Sequence, residues 1–391
     1  MPIVLDDASV ILAGHARHAA AEKLGMSQVP VIRAEFMTPA DRRAFVLAEN
    51  RLAELAGWDK KLLVEELEIL LDDGYDLEIT GFSIADLDFA MPEEKADQTS
   101  EEVELPGPTD KAVTRPGDLW IIGEHRVFCG DARAADSWEA VLGNEQATLV
   151  FCDPPYNVPI DGFVSGNGRN RHRNFLMGAG EMSPEEFVAF LRAILRLCVH
   201  FSKSGSIHYH CMDWRHIREL LDAADGVYSE FKQLVVWVKN NGGQGAFYRS
   251  RHELVFVFKS GKGKHINNFG LGETGRYRTN VVEYAGVNSF RRGRNADLAA
   301  HSTVKPIALV ADFIVDRSNR GDLVMDPCLG SATSLIAAHR TGRRGAGIEL
   351  DPLYVDTALA RLAAISGLTP VLAGDGRSFD EVGAERLAKG N

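Results

Sequence analysis

The chain has 391 residues, 45% of them hydrophobic, and a formal net charge of −12. Such a length and composition allow two folded domains and exclude a disordered or fibrous protein. No stretch approaches the roughly 18 consecutive apolar residues of a membrane span, and the first residues lack a signal-peptide core, so we expect a cytoplasmic protein. The five cysteines show neither a CxxC pair nor metal-ligand spacing, which predicts reduced thiols and no metal site.

The first part of the chain predicts a small α+β domain. Strands are expected over 9–14 and 30–32, and helices over 15–24, 38–55 and 60–71. Thr38 and Pro39 are residue types typical of an N-cap and a first helical position. Residues 91–117 are acidic, rich in Pro, Ser and Thr, and without apolar periodicity, which predicts a linker.

The remainder alternates short apolar strands with amphipathic helices, which predicts a doubly wound α/β sheet. Strands are expected over 126–129, 148–152, 206–210, 233–238, 253–258, 323–325, 345–349 and near 370–376. Helices are expected over 184–198, 306–317, 332–341 and 352–365. The sequence Ser183-Pro184-Glu185-Glu186 has the pattern of a capping box with proline at the first helical position.

The tetrapeptide Asp153-Pro154-Pro155-Tyr156 follows the apolar run 149–152 and is the strongest functional signal. Ligands of open α/β sheets bind at the carboxyl ends of strands, where this tetrapeptide is expected to lie. The Asp153 carboxylate and the Pro154 carbonyl can accept hydrogen bonds from the two N–H groups of an exocyclic amine, and consecutive prolines hold such acceptors rigidly. The Tyr156 ring offers a face for a base that has flipped out of a duplex. We therefore predict that these four residues are catalytic.

A second signal is a turn of small residues that follows an apolar strand and opens a helix. Such a turn brings backbone N–H groups close to a carboxylate or phosphate. The predicted cofactor contacts in this turn are Asp326, Cys328, Gly330, Ser331 and Thr333. Glu349 and Asp351 end the next strand, where an acid can accept the hydroxyl groups of a ribose.

These two motifs resemble those of the DNA amino-methyltransferases of the circularly permuted β group, over residues 116–366. In that group the Asp-Pro-Pro-Tyr motif precedes the cofactor turn, as it does in this chain. The resemblance implies an α/β, Rossmann-like methyltransferase fold in permuted order, S-adenosylmethionine as cofactor and double-stranded DNA as substrate. It adds four cofactor contacts: Asp131, and Thr303, Lys305 and Pro306 of the segment that begins at His301.

Two residues of the cofactor turn depart from the family pattern. Cys328 stands where the family usually has phenylalanine, and Ala332 where it usually has glycine, so we expect weakened cofactor affinity. The dipeptide Pro327-Cys328 also occurs in 5-methylcytosine enzymes. That chemistry requires a thiolate on a loop separate from the cofactor turn, so we exclude it.

Basic residues outside the two motifs are predicted to contact DNA. Residues 232–305 contain 13 Lys or Arg and 4 Asp or Glu, in contrast to the acidic first part of the chain. The arginine-rich segment 157–181 is long enough to be a functional loop, and residues 259–300 occupy the family's target-recognition position. The predicted DNA contacts are Arg169, Arg171, Arg173, Lys239, Arg276, Arg278, Arg291, Arg292 and Arg294.

The N-terminal segment resembles the ParB-like nuclease and nucleotide-binding domain between Ile11 and Ile32. The resemblance implies either a nucleotide contact by Gly14, His15 and Arg17 or a structural appendage that helps the protein fold, dimerise or dock, and we favour the appendage. A homodimer is compatible with this interpretation.

The sequence thus predicts a ParB-like domain over 1–90, a linker over 91–117 and a methyltransferase domain over 118–391. The expected reaction is direct in-line transfer of a methyl group to N6 of adenine after base flipping. N4 of cytosine is an alternative target, because both are ring-conjugated amines. An alternative of another class is a ParB-like DNA-binding regulator with a disabled methylase.

Overall fold

The computed structural model describes residues 2–35, 38–55, 60–72, 111–158, 177–178, 180–240, 242, 247–268, 278–284 and 305–388. The chain divides into two compact units, Met1–Tyr75 and Asp76–Asn391. No helix of the described residues has the length and apolar character required to cross a membrane.

The first unit joins a small sheet to helices. Its described strands are β1 (Ile3–Leu5), β2 (Ile11–Ala13) and β3 (Val31–Arg33), and its described helices are α1 (His15–Lys23), α2 (Pro39–Leu55) and α3 (Lys60–Asp72). The central strand β1 runs antiparallel to β2 and parallel to β3. The structure confirms the predicted α+β class of this unit and the two predicted strands, which correspond to β2 and β3. β1 was not predicted from the sequence.

The second unit is built on one sheet. Its described strands are β4 (Leu119–Ile122), β5 (His125–Cys129), β6 (Ala147–Cys152), β7 (Ser202–Met212), β8 (Glu230–Val238), β9 (His252–Lys259), β10 (Val281–Glu283), β11 (Leu323–Asp326), β12 (Arg344–Glu349) and β13 (Val371–Leu372). Their order across the sheet is β10-β8-β9-β7-β6-β11-β12-β5-β4-β13. Five neighbouring strands of the sheet are mutually parallel: β7, β6, β11, β12 and β5. In contrast, β9 is antiparallel to both of its neighbours, β7 and β8.

Helices connect and cover the strands. The described helices are α4 (Ala135–Leu142), α5 (Pro184–His200), α6 (Ile217–Ala224), α7 (Ile307–Arg317), α8 (Thr333–Arg340), α9 (Pro352–Ser366) and α10 (Phe379–Ala388). The predicted capping box at the start of α5 is confirmed, since Ser183 Oγ accepts the Glu186 N–H at 3.2 Å and the Glu186 carboxylate accepts the Ser183 N–H at 2.8 Å.

The strand order shows the predicted permutation directly. β6 and β11 are parallel neighbours in the sheet, although β6 comes much earlier in the chain. From β6 the chain continues through α5 to β7 on one side, and from β11 it continues through α8 to β12 on the other. The direction of winding therefore reverses between β6 and β11, and the crevice at their carboxyl ends is where such sheets bind ligands.

Alternate residues of β7 show how both faces of the sheet are buried. Ile207, Tyr209 and Cys211 pack with the apolar face of α7 in one core. His208 and His210 point to the other face, where the aromatic residues of β9 pack with α5 and α6. The central strands are thus covered on both sides, which explains why they read as continuous apolar runs.

Gly347 of β12 lies directly under the turn that follows β11. A Cβ atom on this residue would lie 2.8 Å from both Cδ atoms of Leu329, whose side chain is 4% exposed. We expect Gly347→Ala to lower the free energy of unfolding by about 1–3 kcal/mol through overpacking, measured by urea denaturation. In the control Gly383→Ala, on α10, the methyl group meets Val113 Cγ2 at 3.2 Å in a helix that favours alanine. Equal stability of the two variants would contradict this packing.

Candidate active site

Asp153 follows the last residue of β6, and both of its carboxylate oxygens are held by other site residues. The Tyr156 hydroxyl donates to Oδ1 at 2.6 Å, and Lys305 Nζ donates to Oδ2 at 2.6 Å. Residues that are 152 positions apart in the sequence therefore meet at the crevice. The remaining lone pairs of the two oxygens can accept further hydrogen bonds.

Lys305 precedes Pro306, the N-cap residue of α7, and is almost fully buried, with a side chain that is 5% exposed. Its Nζ is 2.6 Å from Asp153 Oδ2, 3.1 Å from Glu253 Oε2, and 5.4 Å from the centre of the Tyr156 ring. Burial alone would lower the pKa of the Lys305 ammonium, but the two carboxylates outweigh burial and raise this pKa above its ordinary value. Lys305 is therefore a permanent positive charge at the centre of the site.

Glu253, near the start of β9, is a site residue that the sequence analysis did not predict to be functional. It binds Lys305 on one side and the ammonium of Lys239 on the other. Burial raises the pKa of the Glu253 carboxyl, and the two lysines outweigh burial and lower it. The sequence signals for this position are an acidic residue at the start of an otherwise apolar strand and the resemblance of His252-Glu253 to a family strand near the flipped base.

The predicted cofactor turn is tied to β12 by Glu349. Gly330 N–H donates to Glu349 Oε2 at 2.8 Å, and Asp351 N–H donates to Oε1 at 2.9 Å. Burial raises the pKa of the Glu349 carboxyl. Gly330 has a φ of 53°, and a Cβ atom there would meet no other atom within 4 Å, so the turn borders open space. A turn of this kind next to an acid fits a cofactor with an amino acid carboxylate and a ribose.

Other predicted cofactor contacts support the turn through their side chains. Asp326 accepts the Cys328 N–H at 3.0 Å and the Ser334 hydroxyl, and burial raises its pKa to about 7. Asp351 caps α9 by accepting the Leu353 N–H at 3.0 Å. Both carboxylates are thus engaged within the protein, and a direct cofactor contact by either of them stays a prediction.

Asp131 and Pro306 lie beside the same crevice. Gly130 N–H donates to the Glu349 carbonyl at 2.9 Å, which places Asp131 next to the end of β12. The Asp131 carboxylate forms a 2.7 Å ion pair with Arg133 and is one-third exposed. Pro306 occupies the N-cap position of α7, directly after Lys305.

Arg361 of α9 is a buried support of the cofactor turn that the sequence analysis missed. Its Nη1 donates to the Ser331 carbonyl at 2.9 Å, to Ser331 Oγ at 3.0 Å and to Thr333 Oγ1 at 3.1 Å. The hydroxyl oxygens of Ser331 and Thr333 therefore face α9. An arginine in an amphipathic helix is normally assigned to the surface, so the sequence pattern gave no sign of this role.

The two departures from the family pattern occupy constrained positions. Ala332 is fully buried and has a φ of 65°, a left-handed conformation that costs roughly 1–2 kcal/mol for a residue other than glycine. The Cys328 side chain packs against the core that contains Cys152. Burial raises the pKa of the Cys152 thiol, which keeps it protonated. The predicted loss of cofactor affinity stays a prediction.

The two described basic residues of the predicted DNA surface are paired within the protein. The Lys239 ammonium binds Glu253 and lies 4.8 Å from the centre of the Trp237 ring. Arg278 Nη1 is 2.6 Å from Asp312 Oδ2, and its Nε is 3.2 Å from Asp316 Oδ1. The predicted cofactor contact Thr303 lies outside the described residues. So do the remaining predicted DNA contacts: Arg169, Arg171, Arg173, Arg276, Arg291, Arg292 and Arg294.

Asn157 holds together the two ends of the arginine-rich segment. Its Nδ2 donates to the Met182 carbonyl at 2.8 Å, and its Oδ1 accepts the N–H groups of Gly180 and Met182 at 3.1 and 3.2 Å. A Cβ atom on Gly178 would lie 2.8 Å from Pro155 Cβ. Asn157 and Gly178, at the two ends of this segment, therefore both lie next to the tetrapeptide 153–156.

A cluster of residue types that can bind metals lies on the face of the sheet that α5 and α6 cover. Among the described residues, Cys198, His208 and His210 place ligand atoms within 4.8 Å of one another. The Tyr228 hydroxyl lies between the two imidazoles, 3.0 Å from His208 Nδ1 and 2.7 Å from His210 Nε2. Burial lowers the pKa of both histidines, so the cluster forms a neutral hydrogen-bonded network in the core.

We expect Arg361→Lys to weaken binding of S-adenosylmethionine about tenfold, measured by isothermal titration calorimetry. Lysine keeps the charge, but its single ammonium cannot reproduce the guanidinium geometry and leaves an acceptor of the turn unsatisfied, at a cost of about 1–3 kcal/mol. The control is Arg377→Lys, at an exposed ion pair with Asp375, which should bind the cofactor as tightly as the unmodified chain. Unchanged affinity in Arg361→Lys would show that Arg361 does not shape the turn.

Comparison with known proteins agrees with this geometry. A family model described as DNA methylase matches residues 147–360, and a model described as ParB-methyltransferase HTH domain matches residues 61–116. The chain is similar to the type II methyltransferase M.HpaI of Haemophilus parainfluenzae, with 26% identity over 61% of this chain and 74% of the relative. It is also similar to the DNA adenine methyltransferase YhdJ of Escherichia coli K12, with 27% identity over 57% of this chain and 78% of the relative.

Among solved structures, the complex of M1.HpyAVI with S-adenosylmethionine aligns with a TM-score of 0.44 and 19% identity, over 60% of this chain and 98% of that chain. The DNA methylase model spans more than half of the chain and includes the tetrapeptide 153–156, the predicted cofactor turn and Glu349. The chain therefore belongs to the DNA methylase family, and it is a DNA methyltransferase that uses S-adenosylmethionine.

Proposed function

We propose that the enzyme methylates an exocyclic amino group of a flipped base in double-stranded DNA, with N6 of adenine as its target. The observation that carries this proposal is the fixed Asp153 carboxylate, whose two oxygens are held at 2.6 Å by Tyr156 and Lys305. It lies at the end of β6, next to the strand that leads into the cofactor turn. The acceptor for the amine and the site for the methyl donor are thus neighbours at one crevice.

The role of Asp153 follows from the chemistry of the target amine. The lone pair of an exocyclic amino group is delocalised into the ring, which makes the nitrogen a weak nucleophile. A carboxylate that accepts a hydrogen bond from the amino group favours tetrahedral geometry at the nitrogen and stabilises the positive charge that develops there as S-adenosylhomocysteine leaves. The same carboxylate can then take up the proton that the methylated nitrogen loses. The Pro154 carbonyl is the proposed acceptor for the second proton, in a backbone that two prolines stiffen. The site contributes positioning and polarisation, and needs no covalent enzyme intermediate.

The cofactor would be held by the turn around Gly330, by Glu349 and by the Gly130-Asp131 element. Bound S-adenosylmethionine supplies an electrophilic methyl group. Gly330 provides close backbone approach, and Glu349 keeps lone pairs available for hydroxyl groups beyond the two backbone N–H groups that it accepts. Arg361 fixes the turn from beneath through Ser331 and Thr333.

Tyr156 would have two roles, as a hydrogen-bond donor to the Asp153 carboxylate and as a stacking surface for the flipped base. Its hydroxyl is committed to Asp153, and burial together with Asp153 raises the pKa of this hydroxyl, so it remains a donor. Its ring is the proposed stacking surface for the flipped base. The Lys305 ammonium lies 5.4 Å from the ring centre and helps to fix the ring.

The arginine-rich segment would close over the flipped nucleotide. Asn157 and Gly178 anchor its ends at the catalytic tetrapeptide, so a basic segment of this length is well placed to meet DNA phosphates. We propose that Arg169, Arg171 and Arg173 make these contacts, and that residues 259–300 form the target-recognition region. DNA as substrate also agrees with the expected cytoplasmic location.

The domain arrangement that we propose is a ParB-like domain over 1–90, a linker over 91–117 and the methyltransferase domain over 118–391. The ParB-methyltransferase HTH model covers α3 and extends to residue 116, so it includes most of the predicted linker. A helix-turn-helix segment in this place would add DNA contacts outside the catalytic unit, and a homodimer would present two such segments.

Adenine is favoured over cytosine by two observations. The tetrapeptide has aspartate first and tyrosine fourth, the pattern that the family associates with adenine, and the relative YhdJ is named a DNA adenine methyltransferase. N4 of cytosine remains the second candidate, because the same acceptors suit its amino group.

The test is methyl transfer from labelled S-adenosylmethionine to unmethylated DNA of mixed sequence, followed by nucleoside mass spectrometry. We expect N6-methyladenine with the unmodified chain and no product with Asp153→Ala. N4-methylcytosine would keep the mechanism and correct the base. DNA binding that is indifferent to the cofactor, with no methylated product, would support the regulator with a disabled methylase instead.

A further inference from the structure

We infer that Glu253 and Lys239 are positioning residues of the methyl-transfer centre, which act by holding Lys305 between two carboxylates. The inference rests on the proposed role of Asp153. It assigns to Lys239 a role different from the DNA contact that the sequence predicts.

Four side chains of alternating charge form a continuous chain into the site. Asp153 contacts Lys305 at 2.6 Å, Lys305 contacts Glu253 at 3.1 Å, and Glu253 contacts Lys239. The two charges at the centre are the most buried, with side chains 5% exposed for Lys305 and 19% for Glu253. Lys239 is 28% exposed and forms the outer end. The four charges sum to zero, which limits the cost of burying them.

The sheet fixes the outer half of this chain. β8 and β9 are antiparallel, with Trp237 opposite Glu253 and Val238 opposite His252. Lys239 directly follows β8, and its backbone N–H donates to the Arg251 carbonyl at 2.8 Å. Glu253 and Lys239 are therefore held by strand pairing, and not by a flexible surface contact.

The interaction of Glu253 with Lys305 is an ion pair and not a well-aligned hydrogen bond. Its Oε2 is buried and makes no hydrogen bond of good geometry to the described part of the protein, although it lies 3.1 Å from Lys305 Nζ. The attraction between them therefore does not depend on bond direction. Without the Glu253 charge, Lys305 would be drawn to Asp153 alone, and Asp153 would polarise the target amine less effectively.

A DNA contact and a positioning role for Lys239 predict different measurements. A lysine that neutralises a phosphate contributes to the salt dependence of DNA binding, and its removal lowers the slope of log K against log salt by about 1. A lysine that fixes Glu253 leaves this slope unchanged and affects the rate of methyl transfer. The structure favours the second outcome, because the ammonium already binds Glu253.

The experiment compares Glu253→Gln and Lys239→Gln with the full unmodified chain in single-turnover methyl transfer to unmethylated DNA. We expect the rate constant to fall about 10- to 100-fold for Glu253→Gln and about 3- to 10-fold for Lys239→Gln. The dissociation constants for S-adenosylmethionine and DNA should stay within about twofold, and the salt slope should be unchanged. Glu253→Asp, which keeps the charge, should recover part of the rate.

The matched control is Glu230→Gln on β8, the strand that Lys239 follows. This change breaks an exposed ion pair between Glu230 and Lys232, which are 2.9 Å apart. It should leave the rate unchanged. If Glu253→Gln transfers methyl groups at the unmodified rate, or if Lys239→Gln weakens DNA binding and lowers the salt slope, the inference is wrong. If Glu253→Gln does not fold, the methyl-transfer rate of Lys239→Gln tests the inference, because Lys239 lies at the exposed end of the chain of charges and its replacement disturbs the core less. An active Asp153→Asn would instead refute the proposed function itself.

Discussion

A buried ammonium held between two carboxylates is the interaction on which the catalytic centre depends. Lys305 is surrounded by protein, and a charge in that position is stable only when opposite charges compensate it. Asp153 and Glu253 provide this compensation, and Lys239 balances the second of them from the edge of the site. The Asp153 carboxylate is thus one end of a neutral set of charges, with both oxygens held in fixed directions.

This arrangement is a consequence of the permuted sheet. Asp153 comes from β6, Glu253 from β9 and Lys305 from the start of α7, so three distant parts of the chain meet at one end of the sheet. The reversal of winding between β6 and β11 opens the crevice there, and it also places the cofactor turn beside the tetrapeptide. The order of the elements along the chain differs from the order in space, yet the tetrapeptide and the predicted cofactor turn share one crevice.

The sequence predicted the parts of this structure that have a local signal. The apolar runs of β6, β9, β11 and β12 and the capping box of α5 predicted elements close to their observed bounds, whereas β7 begins four residues before its predicted start. The elements β1, β4, β10, α4, α6 and α10 were not predicted. At the site, the tetrapeptide and the small-residue turn were recognisable because their function depends on adjacent residues.

Contacts between distant residues could not be predicted in this way. A glutamate at the start of β9 and a lysine after β8 are ordinary surface residue types, and only the pairing of the two strands brings them into one ion pair. The same holds for Arg361, which becomes a support of the cofactor turn only when α9 packs against it. Charge patterning assigned Lys239 and Arg278 to a DNA surface, whereas in the structure each of them is paired with acidic side chains.

The most direct test of the central claim separates cofactor binding from methyl transfer in Asp153→Asn. Asparagine keeps the size of the side chain and removes the charge that accepts the amine proton and binds Lys305. We predict that the variant binds S-adenosylmethionine within about threefold of the unmodified chain, while its single-turnover methyl-transfer rate falls by about 10³-fold, which corresponds to about 4 kcal/mol of lost transition-state stabilisation. Methyl transfer at an undiminished rate would contradict the account, because the fixed carboxylate would then have no part in the reaction.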